Sequence, residues 1–236
     1  MDSIKTFPKF SIFFVILMIL EVLGLTVIPS YHIVSKPMIL AGLIGFYILE
    51  ERRQDHIFLT GLIFALLGDC FLLFGTDDMF AVGLASFLIM QICYATSFNR
   101  QRRVPRNKDY IAPVFLAIVG ISTLAYLWAD LGNLKYAVAV YTTAIVVMAV
   151  FAYLRHPKLR GYATVFAGVI LFILSDALLA INKFGNEFMY ADISVMVTYM
   201  LAQFLIVTGV VLAKIQKKEI KEKTISRFAQ HRQKRK

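Results

Sequence analysis

Apolar residues run along this chain in long unbroken blocks, without the short alternation of a surface strand or the narrow stripe of a soluble amphipathic helix. Eight blocks stand at roughly 10–29, 37–49, 57–75, 79–98, 110–129, 134–154, 162–182 and 191–213. A helix needs about 20 apolar residues to cross the hydrocarbon layer, and only helices or closed barrels satisfy their backbone N–H and C=O groups there. The pattern predicts an all-α polytopic membrane bundle of about eight transmembrane helices over 1–213. A basic cytoplasmic tail follows over 214–236. The second block is short and opens at Lys36-Pro37, where proline suits a first helical turn. The first block has no small-residue cleavage site and reads as an anchor, with no cleavable signal peptide expected.

The polar segments between the blocks set the orientation. Placing the N-terminus inside puts 22 of the 25 Lys and Arg residues on the cytoplasmic side, including Arg52, Arg53 and the five from Arg100 to Lys108. Only Lys36, Lys135 and Lys183 fall outside. This follows the positive-inside tendency and supports an even number of spans, with both termini cytoplasmic; a bacterial inner membrane is the expected location. The tail alone holds ten basic residues against two Glu, most of the net charge of +10. A basic globule for nucleic acid would spread its charge over a folded face, so nucleic acid is not an expected partner. Composition agrees: 59% of residues are hydrophobic, 17% are charged and the mean hydropathy is +0.71, against about a quarter charged in soluble domains.

Cys70 and Cys93 sit inside apolar blocks, and His32, His56, His156 and His231 are far apart in sequence. Neither a disulfide framework nor a metal site is expected, and no cofactor. G-x-S-x-G and H-E-x-x-H patterns and a phosphate-cradling glycine loop are missing.

Three ionisable residues interrupt the apolar blocks: Glu21, Asp69 and Asp176. Such groups cost about 2.5–3.5 kcal/mol on insertion scales and mark functional sites by default. The segment Gly61–Phe74 aligns without gaps on Gly168–Ile181, with five of fourteen positions identical, the aspartate among them. The offset predicts two parallel four-helix repeats, with Asp69 and Asp176 each about six residues from the outer end of its helix. Lys36 would stand at the outer mouth of helix 2, and Tyr199 and Gln203 share one face of helix 8 by their i, i+4 spacing. The expectation is one outward-opening polar cavity. There, two carboxyl groups in unequal surroundings divide into a proton donor and an ionised partner. Pairing of the aspartates for packing alone is the bland alternative, and Glu21, without a repeat counterpart, fits it best.

At these residues the chain resembles the YhhN family of membrane proteins, whose characterised animal members are lysoplasmalogenases. The matching pieces are Ser35-Lys36-Pro37, Gly68-Asp69-Cys70-Phe71-Leu72-Leu73, the run Phe80, Gly83, Phe87 and Tyr94, Ser175-Asp176-Ala177-Leu178-Leu179, and Tyr199, Ala202-Gln203 and Gly209. They cover about 10–213. Where the family often has a histidine three residues before the tyrosine, this chain has Gln91. The resemblance implies hydrolysis of the vinyl ether bond of a lysophospholipid to a fatty aldehyde and a glycerophospho-alcohol. Asp69 and Asp176 would be catalytic, and Lys36, Tyr94, Tyr199 and Gln203 would bind substrate. The expected partners are the bilayer and the lysophospholipid. The competing readings are a transporter or lipid-binding protein using the same cavity, and a structural membrane subunit.

Overall fold

The computed structural model describes residues 3–50 and 54–233. Arg52 and Arg53, assigned above to the basic side, lie outside the described residues, as do the last three residues of the tail and the side chains of Lys5 and Lys108. The described residues form eight α-helices: α1 (Ser3–Thr26), α2 (Pro29–Glu50), α3 (His56–Leu72), α4 (Asp77–Asn99), α5 (Ile111–Leu127), α6 (Lys135–Leu154), α7 (Tyr162–Phe184) and α8 (Ala191–Gln233). Six of them are long and apolar enough to cross a membrane, while α3 and α5 are shorter apolar helices of 17 residues. Large apolar side chains such as Ile12, Phe13, Ile16, Phe115, Ile118 and Ile121 face outward. In a soluble protein that surface would be a liability; in a bilayer it is the lipid contact.

Three sequence expectations are corrected. Helix α2 begins at Pro29 rather than near 37, so Pro37 lies inside it. The ring leaves the Ile33 carbonyl without its helical donor. Lys36 is accordingly not at the mouth of α2 but within it, 8% exposed. Helix α3 stops at Leu72, three residues before the sequence estimate, because the chain turns through Gly75 at φ +67° and restarts under the Thr76 cap, whose hydroxyl accepts from the Met79 N–H at 3.3 Å. Helix α8 does not end at 213; one helix runs on through the basic segment to Gln233.

Consecutive helices pair as antiparallel hairpins. The most extensive contacts are α3 along α4 and α7 along α8, equivalent pairs in the two halves. Small residues let these backbones approach, as membrane helix interfaces require. A Cβ added at Gly168 would lie 2.8 Å from the Ala202 carbonyl and 2.9 Å from the Ile206 N–H nitrogen. In the other half, the aligned Gly61 and the nearby Gly68 make room for the rings of Tyr94 and Phe87. Helix α4 also packs on α6, and α8 on α1 and α2, which joins the halves.

On the basic side the two halves are pinned by their loops. The Arg103 N–H donates to the Leu154 carbonyl and the His156 N–H to the Gln101 carbonyl, and the buried Arg155 guanidinium donates to Gln101 Oε1. The Arg103 guanidinium grips Asp109, which also accepts from the Arg106 N–H at 2.6 Å. These donors hold the Asp109 carboxyl well below the usual carboxylate range.

Two predictions follow from this packing. Gly168→Ala will lower the thermal midpoint in detergent, because overpacking against backbone costs about 1–3 kcal/mol. Gly45→Ala, which meets nothing within 4 Å, will leave the midpoint unchanged or raise it, since alanine's helix preference adds up to about 1 kcal/mol of stability. Because the folded value of Asp109 is depressed, its contribution to stability is complete above about pH 4 and lost as pH falls further toward that folded value. Amide exchange across 100–110, corrected for intrinsic rate, will therefore lose protection at pH ~3 in wild type. In Asp109→Asn the same segment will be less protected at neutral pH and nearly indifferent to acid.

Candidate active site

The three intramembrane acids occupy different places. Asp69 lies thirteen residues beyond the start of α3 and Asp176 fourteen beyond the start of α7, so both reach a similar depth, about 20 Å from the basic ends of their helices. Measured from the other end the match is looser, since α3 stops three residues after Asp69 and α7 eight after Asp176. Asp69 is buried, 1% exposed, and Asp176 is half-buried.

Each carboxylate is held by a tyrosine from a distant helix. Tyr199 of α8 donates its hydroxyl to Asp69 Oδ2 at 3.0 Å, and Tyr141 of α6 donates to Asp176 Oδ2 at 2.5 Å. Tyr199 is also within electrostatic reach of Asp176. One turn further along α8, Gln203 accepts from the Tyr94 hydroxyl at 3.0 Å. The shared face of Tyr199 and Gln203 thus points at α3 and α4. Lys36 lies close enough for its charge to act on Asp69. Five of the six residues singled out in the sequence, Lys36, Asp69, Tyr94, Tyr199 and Gln203, converge where α2, α3, α4 and α8 meet. Asp176 lies beyond Tyr199, toward α6.

Among the described residues, Asp69, Tyr199 and Gln203 are buried and do not line the single outward-opening cavity expected from the sequence. The polar centre around Asp69 is closed, and a groove of ≈ 860 Å³, counted with its open part, runs past Asp176 instead. The Phe87 ring separates the two spaces. It lines the groove and meets the Tyr199 ring edge-on at 6.0 Å, seated on Gly68, where a Cβ would come within 2.8 Å of it.

Inside the closed centre, polar atoms remain unmatched. Gln91 is fully buried beside the Tyr141 hydroxyl, and neither its amide nitrogen nor its oxygen forms a well-aligned hydrogen bond; the Gln203 Nε2 is likewise without a partner. Buried polar groups are seldom left so. The arrangement can receive a water molecule or the polar part of a ligand. The residue in the family's histidine position therefore stands next to the Tyr141–Asp176 pair.

Sequence reasoning did not foresee three partners. Glu21 is fully buried, accepts from Ser35 Oγ at 2.5 Å and lies 2.8 Å from His32 Nδ1. His32, far from the other histidines in sequence, thus has an acidic neighbour. The signal was available: Glu21 and Ser35 are equidistant from Ile28, at the turn of the α1–α2 hairpin, and residues equidistant from a tight turn face each other. Tyr141 had no signal in one sequence, since nothing in α6 singles it out from its neighbours.

The YhhN family matches residues 31–210 of the chain, a stretch that contains every residue of this site except Glu21. Lysoplasmalogenase TMEM86A of Homo sapiens is 32% identical over 181 residues, covering 73% of this chain and 72% of that protein. Lysoplasmalogenase TMEM86A of Bos taurus is 28% identical over 185 residues, with the same coverage. No solved structure matches significantly. By the extent of the family match and by the human relative, this eight-helix membrane protein belongs to the YhhN family.

Proposed function

We propose that this protein hydrolyses the vinyl ether bond of a lysoplasmalogen-type lysophospholipid, releasing a fatty aldehyde and a glycerophospho-alcohol. The observation that carries the reading is the pair of intramembrane carboxyl groups, each held by a tyrosine and both within reach of Tyr199, in a chain whose mammalian relatives bear the name lysoplasmalogenase.

The chemistry needs an acid that protonates carbon. A proton added to the β-carbon of the vinyl ether leaves an oxocarbenium ion at the carbon bonded to oxygen. Water adds there and gives up a proton, and the resulting hemiacetal collapses to aldehyde while the glycerol oxygen takes a proton. One water is consumed and no proton is lost overall. The site must supply a neutral acid, an anion near the developing cation and a place for water. An apolar wall suits a neutral carboxyl group and a nearby cation suits an ionised one. We therefore assign the proton donor to Asp176, which lines the groove, and the ionised partner to Asp69, which is beside Lys36. Gln91 and Gln203 offer the unmatched amide atoms that would hold the water. Lys36 would attract the phosphate, with the termini and the basic loops on the cytoplasmic side.

Aldehyde release from lysoplasmalogen by the purified protein tests this reading. Asp69→Asn and Asp176→Asn will each lower kcat by at least about a hundredfold, the usual worth of a general acid or base, with the thermal midpoint of a folded protein retained. Full activity in both variants would sink the assignment. Tyr141→Phe will cost about tenfold or more, as expected for a hydrogen bond to a carboxyl group. Lys36→Met will raise KM more than it lowers kcat, because it removes binding shared by substrate and transition state. Proton-coupled solute movement in proteoliposomes, with no product from any lysolipid, would support a transporter instead.

A further inference from the structure

The groove beside Asp176 has a construction that the reaction alone does not require. Its walls come mainly from α4, α5, α6 and α7, and almost all of them are apolar. Two threonines line it, yet neither offers it a hydroxyl proton: Thr123 Oγ1 donates to the Val119 carbonyl at 3.0 Å and Thr142 Oγ1 to the Val138 carbonyl at 2.8 Å. Each hydroxyl is turned back on its own helix. The polar groups that remain in the wall are Asp176 and Tyr141, bonded to each other. The groove is thus an apolar slot with one carboxyl station along its length.

Its two ends differ. Toward the polar centre, Phe87 and the Tyr141–Asp176 pair form the boundary with the chamber that holds Lys36, Asp69 and Tyr199. At the far end the rings of Phe80 and Phe184 meet edge-on at 5.7 Å, with the Lys183 ammonium 5.3 Å from the Phe80 ring and 2.7 Å from Asp77. An ion pair and an aromatic lock therefore close the slot where α4 and α7 approach the surface. A molecule with a charged head, a reactive bond at the junction and one hydrocarbon chain matches this order of chamber, station and slot.

On the reading of the protein as a lysolipid hydrolase, we propose that the α4–α7 groove holds the single hydrocarbon chain of the substrate, running from Asp176 toward Phe184, and that the side chains in its walls set the accepted chain length. Ala180, one turn beyond Asp176 on the same face of α7, and Leu124 across from it on α5 both line the slot. Neither belongs to the acid–base machinery.

Two measurements test this separately from the reaction. A lysophosphocholine with a non-hydrolysable alkyl ether and a diazirine at the chain terminus is photolysed with the full-length protein in detergent, and the labelled peptides are mapped. Labels on the groove-facing residues of α5, α6 and α7 are expected, to be competed by an unlabelled alkyl lysolipid. Labels confined to the outward face of α1 or α5, or equal competition by a diacyl phospholipid, would overturn the proposal even if hydrolysis is intact. In the second measurement, Ala180→Phe will lower kcat/KM for long-chain lysoplasmalogens by at least about tenfold relative to short-chain ones, and Leu124→Ala will shift the preference the other way. Parallel losses for all chain lengths, with unchanged thermal midpoints, would also overturn it. Groove labelling in a protein that releases no aldehyde would sustain the chain site while removing the hydrolase reading.

Discussion

A carboxyl group held inside the hydrocarbon layer must find a donor within the protein, because no bulk water is there to supply one. The Tyr199–Asp69 hydrogen bond meets that requirement across 130 residues of sequence, and the site is organised around it. Tyr199 can reach α3 because α8 lies so close to α7. That closeness depends on backbone meeting backbone at Gly168 and at Gly161, which has φ +73° and would drive a Cβ to 2.4 Å from the Gly209 carbonyl oxygen. The glycine seam therefore does more than hold two helices together. It sets the depth and rotation of α8, and so places Tyr199 against Asp69 and Gln203 against Tyr94.

Much of this was legible in the chain. Apolar block length gave the helices, and the shared Gly-to-Asp segment gave both acids and the equivalent pairing of α3 with α4 and α7 with α8. The errors came from reading hydropathy as if it marked helix ends. Residues 29–36 contain His32, Ser35 and Lys36 and look like a loop, yet they are helical, with Glu21 of α1 accepting from Ser35 and approaching His32 to 2.8 Å across the hairpin. The tail looks like a separate segment, yet α8 continues through it: Lys, Glu and Gln are good helix formers, and the change of composition records where lipid contact ends rather than where the helix does. Tyr141 was invisible because its role depends on the α6–α7 contact, a tertiary fact that periodicity does not encode.

The two halves share their most extensive helix pairings but differ in the neighbours they give Asp69 and Asp176, a difference that the proposed division of roles between the two acids needs. Two aspartates in the same surroundings would compete for the same protonation state. Here one lies in a closed chamber with a lysine at hand, the other against an apolar slot with a tyrosine as its named partner. The asymmetry arises from the neighbours of each half. Helix α3 packs on α4 and α2, which brings Lys36, and receives Tyr199 from α8, whereas the helix before α7 brings Tyr141 and leaves room beside α5. That room exists because α5 makes its contacts mainly with α6 and touches α7 only lightly, so most of its apolar surface faces outward and its inner face stands off from the bundle. A tightly packed α5 would bury the groove and leave Asp176 a mere structural acid. The loose fit of this one helix is the feature that leaves Asp176, a carboxyl group inside a membrane bundle, at the wall of a groove instead of sealed in the packing.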